Sequence, residues 1–192
     1  MTVNPLDGND RVGTIGMPLP STDIRLIDGD GKDVTEVNTP GEICVKGPQV
    51  MAGYWQRPEE TKKCFTEDGW LVTGDMATYD EQGYFKIVDR KKDMILVSGF
   101  NVYPNEIEDV VCQLDEISEA AAIGIPDDKS GEIVKLFVVK KSAELTKADI
   151  ISHCKAHLTG YKVPREIEFK TELPKTNVGK ILRRALKEAP SS

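Results

Sequence analysis

Hydrophobic and polar positions change their rhythm about half-way along the chain. Up to residue 89 the apolar residues come in short runs closed by turn residues. Asp23–Ile27 alternates and runs into Asp28-Gly29-Asp30-Gly31, a hairpin-turn sequence, and residues 41–47 read as a strand bounded by glycines. Arg57-Pro58-Glu59-Glu60-Thr61 predicts the start of a short helix, because a first-turn proline lacks only an N–H that would have no helical partner there. Residues 69–79 and 83–88 read as two strands around the turn Asp80-Glu81-Gln82-Gly83.

Beyond Asp89-Arg90-Lys91-Lys92-Asp93 strands and helices alternate. Residues 94–97 predict a short strand, and Pro104 opens a helix whose Ile107, Val110, Val111 and Leu114 recur at helical spacing. Residues 119–125 and 132–140 are strand candidates separated by the polar loop 127–131. Thr146 with Asp149 makes a capping-box start for a helix carrying Ile150, Ile151, Cys154 and Leu158. Glu166–Phe169 reads as a last strand and residues 179–189 as a terminal helix. The expected fold class is α+β: a β-rich, barrel-like subdomain over residues 1–89, then a small α+β domain over 90–192. The charged pentapeptide between them is short enough to permit rotation of one module on the other without free separation.

Composition adds limits. The balance of 39% hydrophobic and 30% charged residues is that of an ordinary soluble chain, and 192 residues suffice for one good core or two small ones. No apolar run approaches the ~20 residues needed to span a bilayer, and Met1-Thr2-Val3-Asn4-Pro5 lacks a signal layout, so a cytosolic protein is expected. Cys44, Cys64, Cys112 and Cys154 are scattered, which predicts reduced, packed thiols. His153 and His157 share a helix face with no third ligand near in sequence, and no metal site is expected. Residues 1–89 carry 8 Lys and Arg against 16 Asp and Glu, while from Lys155 onward the count is 9 against 4, a cationic tail suited to phosphates.

Three clusters carry chemistry. In Asp68-Gly69-Trp70-Leu71-Val72-Thr73-Gly74-Asp75 the last carboxylate follows Thr-Gly and offers two acceptor oxygens to paired sugar hydroxyls. Val88-Asp89-Arg90-Lys91-Lys92-Asp93 leads to Ser98-Gly99-Phe100-Asn101, where Gly99 lets backbone approach a thin ligand and Asn101 supplies donor and acceptor groups. In Lys175-Thr176-Asn177-Val178-Gly179-Lys180, a lysine after a glycine in a flexible loop can bring an ammonium onto developing negative charge. Gly179-Lys180 is not a Walker A ending, since Ile181 follows the lysine and no glycine stands five positions before Gly179.

Together the order and spacing of these clusters resemble the AMP-forming acyl-CoA synthetases of the adenylate-forming superfamily. Residues 68–92 resemble the fatty acyl-CoA synthetase signature along all 25 positions, and Gly53-Tyr54-Trp55 and Leu158-Thr159-Gly160-Tyr161-Lys162-Val163-Pro164 extend the resemblance, which is nearest to bacterial long-chain fatty acid–CoA ligases. The resemblance implies two steps: fatty acid and ATP give an acyl-adenylate and pyrophosphate, then the CoA thiol displaces AMP. It implies that Asp75 and Arg90 bind the ribose of ATP or AMP and that Lys180 contacts the carboxylate and α-phosphate oxygens. Lys92 would be the hinge, and Ser98, Gly99, Phe100 and Asn101 would line the pantetheine tunnel once the small domain has swung. Lys162 and Arg165 would be available to CoA phosphates.

The same resemblance places the phosphate loop, the acyl pocket and the Thr-Glu pair for Mg2+ before Met1. The expectation is therefore a carboxy-terminal fragment, inactive alone, whose partners are fatty acid, ATP or AMP, CoA and a missing amino-terminal domain, with no nucleic acid. Its residues 1–89 would expose apolar surface, and the parent enzyme would be cytoplasmic with room for peripheral association at the inner membrane. Aryl-CoA ligases, luciferase-like enzymes and peptide-synthetase adenylation domains share the Asp75, Arg90 and Lys180 pattern but lack the full fatty acyl signature. A free-standing CoA or acyl-carrier binding module without catalysis is the alternative from another class.

Overall fold

The computed structural model describes residues 1–188, and the chain divides between Lys92 and Asp93 into two units. In the first, β1 (Thr2–Val3) pairs antiparallel with β2 (Met17–Pro18). A four-stranded antiparallel sheet follows in chain order: β3 (Asp23–Ile27), β4 (Gly41–Lys46), β5 (Leu71–Tyr79) and β6 (Phe85–Arg90), with helix α1 (Pro58–Lys63) in the β4–β5 connection. The turn after β3 forms as expected, the Asp28 carboxylate accepting the N–H groups of Asp30 and Lys32 at 2.8 and 2.9 Å. It returns the chain only to a single Ile27–Asp33 bridge, however, and the strand that pairs along β3 is β4, reached by a longer loop.

Strand β4 is central and buried on both faces, with Ile43 and Val45 packed among Leu26, Ala77 and Phe85. Burial of side chains this size contributes about 1.5–3 kcal/mol each. Glu42 lies in the same buried strand, and its carboxylate is met by the Lys91 ammonium at 2.7 Å, which offsets the cost of removing the charge from water. The barrel-like expectation is corrected to an open sheet, with β3 and β6 as its two edges. Closure needs the first and last strands to pair, and four strands enclose too little interior to be filled with side chains. Apolar side chains do stand in solvent here: Leu6, Val12 and Trp55 are 99%, 100% and 87% exposed.

The second unit is built on β10 (Gly131–Lys140), which pairs antiparallel along its length with β9 (Ile117–Asp127) and parallel with β11 (Glu166–Phe169). At its start it meets the hairpin β7 (Ile95–Val97) and β8 (Phe100–Val102). The near-continuous apolar run of β10 is explained by cover on both faces. On one face α2 (Pro104–Val111) and α3 (Lys147–His157) bring Ile107, Val111, Ile150 and Cys154 against Ala122, Leu136 and other sheet residues. On the other, Leu173 and Leu186 pack on Ala121, Ile123 and Phe137. The capping box of α3 is complete, with Thr146 Oγ1 accepting the Asp149 N–H at 3.3 Å and Asp149 Oδ2 accepting the Thr146 N–H at 2.9 Å.

The expected helix over 179–189 begins later, as α4 (Arg183–Glu188); Ala189 lies outside the described residues. Gly179 has φ +81°, a left-handed conformation that cannot belong to a right-handed helix. Among the described residues no helix is long and apolar enough to cross a membrane.

Candidate active site

Asp75 owes its position to two irregularities in strand pairing. Glu42 stands opposite Met76 and Cys44 opposite Val72, so Thr73, Gly74 and Asp75 of β5 together face Ile43. Gly74 takes φ +79°, a region that costs an L side chain about 1–2 kcal/mol. Thr73 Oγ1 donates to the Ile43 carbonyl at 3.0 Å and accepts the Asp75 N–H at 3.2 Å, which ties the bulge together. On the other side Met76 opposes Asp89 and Ala77 opposes Ile87, with Val88 as the extra residue. Bulges of this kind re-aim a side chain. Between them Asp75 stands directly opposite Arg90, whose Nε lies 3.3 Å from Asp75 Oδ1, with the carboxylate 30% and the guanidinium side chain 62% exposed. An ionised carboxylate only accepts, and its paired oxygens match two neighbouring hydroxyls; the guanidinium beside it adds fixed donors.

Lys91–Asp93 is a 3-10 turn in which Lys91 is pinned to Glu42, while Lys92 is exposed as the last residue of the first unit. Ser98 and Gly99 form the two-residue turn between β7 and β8, with φ +51° and +84°, the geometry of a type I′ hairpin. A Cβ on Gly99 would meet nothing within 4 Å, so the requirement for glycine there is conformational. Phe100 stacks on Tyr161 with ring centroids 4.7 Å apart, and Asn101 is exposed beside it on β8. Lys162 is already held by both carboxylate oxygens of Glu106 at 2.7 Å, whereas Arg165 is exposed.

Lys180 lies on a closed hairpin rather than in the expected flexible loop. The Gly179 N–H donates to the Thr176 carbonyl at 2.9 Å and the Thr176 N–H to the Lys180 carbonyl at 2.8 Å, a turn with a glycine bulge. Lys175 and Ile181 bridge below it, and the Leu182 N–H donates to the Pro174 carbonyl at 2.7 Å. Ile181 packs toward the Leu173 and Leu186 cluster, so the strand that ends in the hairpin is rooted in the core. Much of the cationic tail is neutralised, through Lys162–Glu106, Lys175–Glu119, Arg183–Glu108 and Arg184–Glu188. Lys180 is exposed where the turn closes, opposite Thr176.

Within the first unit the structure thus brings Asp75 and Arg90 together; within the second, Ser98, Gly99, Phe100 and Asn101 share one hairpin and Lys180 occupies another. Burial pushes the Cys44 thiol up and the Cys154 thiol to about 11, so neither is a nucleophile at neutral pH. His153 Nε2 is engaged by the Val110 carbonyl, and among the described residues no three His, Cys, Asp or Glu side chains are grouped to hold a metal.

The AMP-binding enzyme family model matches residues 1–55, and the model of the AMP-binding enzyme C-terminal domain matches residues 106–180. Over 188 residues the chain is 60% identical to a long-chain-fatty-acid–CoA ligase of Yersinia pestis, covering 98% of this chain and 33% of that protein. The chain belongs to the AMP-binding enzyme family. It spans about a third of the length of the curated relatives it matches. Among solved family structures, ATP-bound MatB from Rhodopseudomonas palustris superposes with a TM-score of 0.91 at 38% identity, covering 97% of this chain and 37% of that one. The o-succinylbenzoate CoA synthetase MenE from Bacillus subtilis, in complex with the acyl-adenylate intermediate OSB-AMP, gives 0.83 at 34% identity, covering 93% and 36%.

Two features of the structure escaped the sequence pattern. The bulges flanking Asp75 depend on strand register, which a single strand does not encode, although Gly74 before Asp75 is their local mark. The Arg183–Glu108 pair joins residues 75 positions apart.

Proposed function

We propose that this chain is the nucleotide-gripping and lysine-bearing part of an AMP-forming long-chain fatty acid–CoA ligase. In the first half-reaction a fatty acid carboxylate oxygen attacks the α-phosphorus of ATP, forming the acyl-adenylate and releasing pyrophosphate. Asp75 accepts the ribose hydroxyls and Arg90 reaches the same sugar, while the Lys180 ammonium meets the carboxylate and α-phosphate oxygens as charge develops between them. Its contribution is electrostatic, because a protonated lysine donates and does not abstract. In the second half-reaction the CoA thiol attacks the acyl carbon and AMP departs. Rotation about Lys92 removes Lys180 and brings Ser98, Gly99, Phe100 and Asn101 to the pantetheine arm. The Mg2+ that accompanies ATP in this reaction would be held by residues outside these 192.

The 60% identity to a ligase named for long-chain fatty acids, against 34% to one named for o-succinylbenzoate, supports the fatty acid as substrate class. The Asp75–Arg90 pair across the bulged strands supports nucleotide binding. Since the chain spans 33% of the Yersinia pestis protein, we propose that the 192-residue polypeptide alone makes no acyl-CoA. The test is a graft in which this chain replaces the matching third of that ligase. Acyl-CoA formation from fatty acid, ATP and CoA is expected from the graft and not from the isolated chain. A graft that folds and binds CoA without turnover would instead favour the binding-module alternative.

A further inference from the structure

Arg183 stands three positions beyond Lys180, at the start of α4, and is the most heavily engaged basic residue of the tail. Its Nε and Nη2 donate to Glu108 Oε1 at 3.2 and 2.9 Å, and Nη2 also reaches Glu108 Oε2 at 2.7 Å and Asn105 Oδ1 at 2.8 Å. Nη1 lies 3.8 Å from Asp93 Oδ2. Both side chains are largely buried, Arg183 at 18% and Glu108 at 14% exposure, and Glu108 Oε1 in turn accepts the Ala122 N–H of β9 at 2.8 Å. One guanidinium therefore links α4, helix α2, strand β9 and the first residue of the second unit. Lys175, on the other arm of the Lys180 hairpin, is held to Glu119 of β9 at 2.5 Å.

We propose that Arg183, with Glu108 as its receptor, is a positioning residue: it fixes the Lys180 hairpin to the body of the second unit, so that Lys180 travels as a rigid finger when that unit moves. The inference rests on the proposed role of Lys180. The fork geometry explains arginine rather than lysine, because four donor–acceptor contacts to a carboxylate and an amide require fixed, divergent N–H groups. Pre-organisation explains the use, since a displacement of about 1 Å at a catalytic group can cost about 100-fold in rate.

Arg183→Gln and Arg183→Lys in the grafted ligase test this, beside Lys180→Ala. The expected result for Arg183→Gln is a fall of about 10–100-fold in kcat for acyl-adenylate formation with KM for ATP unchanged. Thioester formation from presynthesised acyl-adenylate and CoA should stay within about twofold, because Lys180 is not used there. Arg183→Lys, which keeps the charge and the fold, should recover only part of the loss. In the 192-residue chain, amide exchange at Gly179, Lys180 and Leu182 should quicken at least ~10-fold in Arg183→Gln while β9 and β10 stay protected. Unchanged exchange in the hairpin, wild-type adenylation, or an equal loss in both half-reactions would overturn the proposal. If Lys180→Ala itself adenylates normally, the ligase role of Lys180 fails, and the exchange result still decides whether Arg183 holds the hairpin.

Discussion

Asp75 is presented by local backbone irregularity rather than by strand alternation. Gly74 at φ +79° and the Thr73 hydroxyl set its direction, and Arg90 opposes it in register on β6. If its carboxylate accepts the ribose hydroxyls as proposed, Asp75→Ala in the grafted ligase should lower kcat/KM for ATP roughly 10–100-fold, the usual worth of hydrogen bonds to a charged group. Initial rates at varied ATP check this. The identity of Asp75 as a candidate was readable from Thr-Gly-Asp because that signal is local. The means of presenting it was not, since the bulges exist only once β4 and β6 are aligned beside β5.

The helix with the most local signal, α3, formed as the pattern implied. Thr146 and Asp149 announce α3 from four consecutive residues, and both capping hydrogen bonds are made. Thr146→Ala should cost about 1 kcal/mol, read as a lowered thermal midpoint. Hydrogen bonding from the Thr146 hydroxyl, then from its N–H, holds the Asp149 carboxyl below its ordinary value. A depressed folded value means that this stabilisation is present above the ordinary aspartate range and is lost as pH falls through the lower folded one. The difference between Thr146→Ala and the parent chain should therefore narrow in acid, as pH-dependent melting would register. The terminal helix begins at Arg183 rather than at Gly179 because Gly179, with its positive φ, closes a hairpin made by the Thr176 and Lys180 backbone groups. No atom lies within 4 Å of a Cβ built on Gly179, so Gly179→Ala should cost about 1–2 kcal/mol of backbone strain locally, displacing the hairpin and slowing adenylation without a clash. Activity loss out of proportion to a modestly lowered melting midpoint would be the mark of it.

At the scale of the whole molecule, the chain divides into two units, each with its own core, and the division falls at Lys92/Asp93 rather than at the 89/90 boundary where the pattern changes. The openness of the first sheet was not readable, because strand content says nothing of whether β3 meets β6. The charge pattern was also only half informative: the cationic tail is real in sequence, but Glu106, Glu108 and Glu119 from elsewhere in the second unit neutralise three of its members. On the Gly179 hairpin the basic side chain left exposed beside the turn is Lys180. The most direct measurement is therefore the pair of half-reactions in a ligase carrying this chain with Lys180→Ala. Fatty-acid-dependent exchange of pyrophosphate into ATP should fall by at least about 100-fold, the scale of losing one preorganised charge-stabilising donor, while acyl-CoA formation from presynthesised acyl-adenylate continues at the parent rate. Undiminished pyrophosphate exchange in the Lys180→Ala enzyme would contradict the account.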